Sequence, residues 1–273
     1  MRPVPVVVHL TGLCLAVTTV VALELGAAAP SPGEVTLPGP ATGGATAGGP
    51  TTGSGPTTGS APARESEPRP AGVRVADLPP GPEFPRHGTG TWRVVPGGIG
   101  TTGVQYSVEV EEGVTVPQGD DSFAAVVDFA LAHPRGWSRV QRFRRVAAGG
   151  EPELRVRLTS QDTARRLCGV ELPYDTSCRI GDSVYLSAAR WFRGAHAYGG
   201  ELRAYRTYLV NHEVGHFLGH GHVPCPADGA PAPVMMQQTL STANDELAAI
   251  TAGVDQGVVI TADGKACTAN PWP

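Results

Sequence analysis

Four of the eight histidines in this 273-residue chain fall within eleven positions, in the run Asn211-His-Glu-Val-Gly-His-Phe-Leu-Gly-His-Gly-His222. On an α-helix, His212 and His216 share one face and lie about 6 Å apart along the axis. That spacing lets two imidazoles point at one zinc ion. Glu213 follows at the edge of the same face, where its carboxylate can reach a zinc-bound water without ligating the metal. A third ligand must come from His220 or His222. On an unbroken helix His220 would sit about 12 Å from His212 along the axis, too far for both to bond one ion at about 2.1 Å. Gly219 can take the positive φ that ends a helix, turning the chain so that His222 comes back toward the metal. The reading adopted is therefore His212, His216 and His222 as ligands, with His220 as a bystander. The plainer alternative is a His-rich helix end satisfied by backbone carbonyls, which would not need Gly219 and His222 at these offsets.

Three neutral imidazoles leave zinc with two positive charges and an open position for water. Zinc lowers the pKa of that water toward about 7, and Glu213 as general base takes its proton. The hydroxide attacks a carbonyl, and Glu213 passes the proton to the leaving amine. The expected activity is that of an exported zinc-dependent endopeptidase acting on a peptide or protein substrate. Two rivals belong to other classes. One is a zinc-binding, non-catalytic cell-surface module, against which the intact Glu213 speaks. The other is a zinc hydrolase of cell-wall amides. No further oxyanion donor is evident, and Tyr185, Tyr198, Tyr205 and Tyr208 read as aromatic packing.

His212–His222 reads H-E-x-x-H-x-x-G-x-x-H and resembles the signature of the metzincin zinc endopeptidases. That resemblance implies an α+β, zincin-like fold: a twisted mixed sheet, an active-site helix, and a small C-terminal subdomain after the third histidine. It also implies a methionine turn below the metal, which Pro233-Val-Met-Met-Gln-Gln238 supplies, with Met235 as the turn methionine and Met236 in reserve. Some metzincins place a tyrosine two residues after that methionine; here the position is Gln237. A substrate would lie extended along an edge strand, for which Val184–Ser187 is the candidate. No cysteine occurs between 15 and 167, so a thiol that blocks the zinc is absent. More narrowly, residues 92–273 resemble a bacterial family of exported proteins known only as a domain of unknown function. The matching stretches are Trp92–Pro96, Pro134–Trp137, Ser177–Arg179, Asn211–His222, Pro231–Thr239 and Asn270–Pro273.

Several elements must position these residues. Val104, Tyr106, Val108 and Val110 alternate as a strand with one buried face, and Leu154, Val156 and Leu158 as another. Val140–Val146 reads as a strand, and Val184–Ser187 as a short one. Helical spacing runs through Phe123, Val126, Val127, Ala130 and Leu131, after an Asp121/Ser122 cap and before Pro134. The longest helix runs from about Leu202 to about Leu218, and Asn244–Ile250 reads as an extra one. Strands are too few between Cys168 and Leu202 to complete a five-stranded sheet. The five arginines from Arg135 to Arg145 read as a solvated strand face.

Composition sets the organisation around this domain. Residues 1–29 read as a signal peptide or membrane anchor: fourteen of the twenty residues Val4–Leu23 are apolar behind a positive start. Residues 30–83 read as a disordered Pro/Gly/Thr/Ala-rich stalk, with P-T-T-G-S at Pro50–Ser54 and again at Pro56–Ser60. All sixteen aromatic residues lie at or after Phe84, so residues 84–273 are assigned to the metallopeptidase-like domain. The expected location is extracellular, secreted or tethered to the outer face of the membrane through residues 4–23. In that compartment Cys168, Cys178, Cys225 and Cys267 form two disulfides. Of three connectivities, chain order favours 168–178 with 225–267. The net charge of −4 gives no reason to expect a nucleic-acid partner, and a monomer is expected.

Overall fold

The alternating run at Val104–Glu111 forms β2, the strand on which the rest of the sheet is assembled. The computed structural model describes residues 74–98, 100–169 and 171–273; the leader and most of the stalk expected at residues 1–73 lie outside the described residues. One side of β2 pairs in parallel with β4 (Leu154–Thr159) from Tyr106 to Val110. Its other side is shared by two short strands. β3 (Phe143–Arg145) runs parallel beside Val104–Tyr106, and β1 (Trp92–Val94) runs antiparallel beside Glu109–Glu111. Beyond β4 come parallel β6 (Ser183–Ser187) and then antiparallel β5 (Cys178–Ile180) at the edge. The described residues thus form a six-stranded mixed sheet, and the fold is α+β.

Period-2 alternation gives this sheet two unlike faces. Tyr106, Val108, Val110, Val156, Leu158, Val184 and Leu186 lie in one apolar core with residues of α1 (Asp120–Ala132) and α4 (Leu202–Phe217). Phe123 of α1 meets Trp191 of α3 (Ala188–Arg193) edge-on at 4.9 Å. The opposite face is polar but well paired. Glu109 accepts from Ser107 Oγ and Arg157 Nε, and the Arg157 guanidinium lies over Trp92. A second, smaller core surrounds the Cys225–Cys267 disulfide, with Met236, Leu240 and Leu247 of α5 (Asn244–Ile250). The other disulfide joins Cys178 of β5 to Cys168 at the end of α2 (Gln161–Cys168). Both pairings follow chain order, and two disulfides suit an oxidising, extracellular setting. No helix among the described residues is long and apolar enough to cross a membrane.

Four expectations change in detail. Helix α1 starts at Asp120 after Gly119, with no side-chain cap; its acidic first turn faces the positive end of the helix dipole, and Asp120 accepts from Arg93. The strand expected over Val140–Val146 shrinks to β3, because Trp137–Arg139 forms a 3₁₀ turn closed by Val140 N–H on Trp137 O, a carbonyl that also accepts from Gln141 N–H. Among the five arginines, Arg145 is buried, paired with Asp128 and donating to the Val95 and Pro96 carbonyls, so it is a core anchor and not part of a solvated face. Finally, β5 supplies a strand where sequence patterning showed too few.

The folded part also begins before Phe84. Ala76 is fully buried, and the buried Arg190 guanidinium donates to the carbonyls of Ala76, Asp77, Asp175 and Gly194. Truncation at Phe84 would leave Nη1 and Nη2 of a buried cation short of acceptors. We expect a chain starting at residue 84 to be less stable than one starting at residue 74 by about 2–4 kcal/mol, read from urea unfolding midpoints.

Candidate metal centre

Helix α4 carries the first two histidines, and its end is shaped by Gly219. At φ +91° this glycine occupies a conformation that side-chain-bearing residues rarely adopt. Gly219 N–H bonds to His216 O and His220 N–H to Gly215 O, the paired bonds of a Schellman stop. The chain then reverses, and Val223 N–H bonds to Met235 O, tying the returning segment to the turn that follows. His222 is thereby brought to face His212 and His216. The ring centroids lie 4.8 Å (212–216), 5.4 Å (212–222) and 4.6 Å (216–222) apart. One nitrogen from each ring falls within 4.8 Å of the others, so the three side chains could hold a metal ion. His220 is outside the cluster, with its ring stacked on Trp137 at 4.7 Å.

Each of the three rings is oriented by a backbone carbonyl on its far nitrogen. His212 Nδ1 meets Val234 O at 2.8 Å, His216 Nδ1 meets His220 O at 2.8 Å, and His222 Nδ1 meets Gln256 O at 3.0 Å. A carbonyl only accepts, so Nδ1 carries the proton and the Nε2 lone pair is left for a metal. His216 Nε2 and His222 Nε2 are 3.1 Å apart. Two bare lone pairs that close repel unless a cation lies between them, and the donor set therefore fits a metal. Burial, chiefly, pushes all three histidines below their ordinary pKa, His212 furthest. That keeps the rings neutral, the form in which they bind metal.

The segment after His222 closes the site from below. Met236 N–H bonds to Pro233 O, making a turn through Val234 and Met235. The Met235 sulfur lies against α4 where Gly215 leaves room: a Cβ there would meet Sδ at 2.3 Å. Three tyrosines clamp this segment, Tyr205 and Tyr208 from α4 and Tyr198 from the 3₁₀ turn before it. Tyr208 O–H donates to Met236 O, Tyr198 O–H donates to Gln238 Oε1, and Tyr205 shares a hydroxyl bond with Thr239. Their role exceeds the packing expected from sequence. Tyr185 differs, lying on the polar sheet face with Arg157. The chain terminus braces the same region, since Asn270 exchanges bonds with Gln238 and Asn211 donates to Pro271 O.

Glu213 lies beside the histidines and is almost wholly buried. Its Oε2 has no hydrogen-bond partner among the described residues. Burial pushes its carboxyl up to about 8. The cluster opens into a cavity of about 370 Å³. One wall is the loop between α2 and β5, held by Cys168–Cys178; the other is built by Gln237, Thr239, Val254 and Gln256. Gln237 Nε2 donates to Gln256 Oε1, joining the turn to the carbonyl-bearing loop. Strand Val184–Ser187, expected at an edge, is interior, because β4 and β5 flank it. The edge strand at the cavity is β5. Sequence reasoning missed these orienting carbonyls and β5.

The fold and the site define an α+β protein with a three-histidine cluster able to hold a metal ion. Residues 78–273 match the model of a family described as a protein of unknown function (DUF3152), and the chain belongs to that family. No curated protein and no solved structure matches it.

Without metal, the site pulls stability in two directions. The histidines titrate lower when folded, so the unfolded chain binds their protons first and stability falls as pH drops below about 6.5. Glu213 titrates higher when folded, so its contribution is full below about 4.5 and is lost as pH rises through about 8. In chelator, Glu213→Gln should match wild type near pH 5. At pH 9 it should be more stable by roughly 2–4 kcal/mol in urea unfolding.

Proposed function

We propose that this chain is an exported, metzincin-like zinc endopeptidase. The observation that carries the reading is three imidazoles held with Nε2 convergent, beside a buried carboxylate with an unpaired oxygen. Three imidazoles without a fourth protein donor among the described residues suit a catalytic zinc, whereas structural sites are closed by four. When bound, zinc would supply Lewis acidity, acidifying a water and polarising a substrate carbonyl.

The remaining work falls to the chain. His212, His216 and His222 would hold the metal through Nε2, each kept in register by its carbonyl partner. Glu213, which a neighbouring cation would hold ionised, takes a proton from the attacking water and returns it to the leaving nitrogen. The outward edge of β5 lies along the cavity, where an extended peptide can add as a further strand. Met235 and the tyrosine-clamped segment keep Val234 O behind His212. The disulfides support activity outside the cytoplasm.

The test is zinc content together with hydrolysis of a mixed peptide library. Wild type should hold one zinc per chain and cut peptides. Glu213→Ala should keep the zinc and lose activity by about 10²–10⁴-fold. Zinc retained with no cleavage in either protein would redirect the reading to a binding module or to cell-wall amides. Zinc absent from wild type would overturn the site itself. His222→Ala should lower zinc affinity by at least about tenfold, measured against a competing chelator.

A further inference from the structure

The side chains of Ser177-Cys178-Arg179 have no part in the proposed chemistry, yet all three residues line the cavity. Their placement is rigid. Ser177 Oγ accepts from Ser187 N–H at 3.0 Å, Cys178 is bound to α2 through Cys168, and Arg179 pairs in the ladder with Val184. Residues opposite each other in an antiparallel pair project to the same face. Val184 is fully buried on the face that α4 covers, so Arg179 leaves the sheet on the same side. Val184 has a strand on either side, whereas Arg179 stands on the last one. Its side chain is therefore exposed above the cavity, which His216 also lines.

This guanidinium has no ion-pair partner among the described residues. Glu171, exposed on the same wall, does not pair with it. A fixed cation beside a three-histidine cluster is costly once a divalent metal is present, because like charges repel across a partly desolvated cavity. An anion lying between them removes that cost and gains a charge-assisted, two-pronged hydrogen bond from the arginine.

Resting on the peptidase reading, we propose that Arg179 selects peptide substrates bearing a carboxylate within one or two residues of the bond to be cut. Two sources share this chemistry, an Asp or Glu side chain and the free chain terminus. Arg179 is a specificity residue: it touches substrate and moves no proton.

The test uses the zinc-loaded full chain and matched peptides. One set carries Glu or Gln near the cleavage point with amidated ends, and a second carries no internal acid but a free or amidated C-terminus. Glu peptides should be cut with about tenfold higher kcat/KM than their Gln partners. The ratio should collapse to about one in Arg179→Ala, return in part in Arg179→Lys, and favour Lys-bearing peptides in Arg179→Glu. A preference confined to the free C-terminus would assign the terminal carboxylate. Cleavage without acid preference, or with one that Arg179→Ala retains, would overturn the proposal and leave the peptidase reading standing. A parallel measurement is independent of turnover: fluorescence anisotropy of the same peptides on zinc-loaded Glu213→Gln. Arginine-dependent binding of Glu peptides with no cleavage by wild type would uphold Arg179 and remove the peptidase reading. Neither binding nor cleavage would remove both.

Discussion

Everything at the candidate centre depends on three carbonyl oxygens. An imidazole can offer its lone pair at either ring nitrogen, and on an unconstrained side chain it offers neither in a fixed direction. Here Val234, His220 and Gln256 each accept from one Nδ1, so the three Nε2 atoms converge. The carbonyls belong to three unrelated stretches: a turn, the helix stop, and the loop after α5. Each must be placed by the wider fold. The Schellman stop at Gly219 places the second, and the tyrosine clamp on residues 236–239 places the first. The Gln237–Gln256 bond helps to place the third.

The sheet's contribution is indirect and equally specific. Its apolar face seats α4, whose last turns carry His212 and His216 to the cavity. Its last strand, β5, borders the cavity because the Cys168–Cys178 bridge and Asp175 hold the preceding loop; Asp175 accepts from Gln161 and Arg165, while its carbonyl accepts from Arg190. Arg190 in turn holds Ala76 and Asp77. One wall of the cavity is therefore linked to backbone that sequence patterning had assigned to the stalk.

What was legible in the sequence was what depends on spacing along the chain. Two histidines four apart followed by a glycine describe a helix face and its end, and the long helix, α5 and the alternating strands β2 and β4 were legible for the same reason. The disulfide pairs were legible from chain order. What was not legible depends on partners distant in sequence. A backbone carbonyl carries no residue-type signature, so Val234, His220 and Gln256 left no mark. The short apolar run Val184–Ser187 marks a strand but not how many neighbours it has, and only the metzincin resemblance nominates it as an edge; it is buried throughout, with a strand on either side. Strand β5 is three residues long with an exposed Ile180, too little pattern to register. The tyrosine hydroxyls were hidden by their rings, whose bulk argued only for packing.

The His222–Gln256 bond spans 34 positions, and that carbonyl lies between α5 and the Cys225–Cys267 closure. The third histidine is thus oriented by the smaller core, while the first two ride on a helix seated in the main one. If the cluster holds a metal, its affinity would report on whether both cores are in place. A lesion that loosens only the C-terminal core would leave the sheet and α4 intact and still disperse the three histidines. Folding would then be better gauged by the geometry of the cluster than by secondary-structure content.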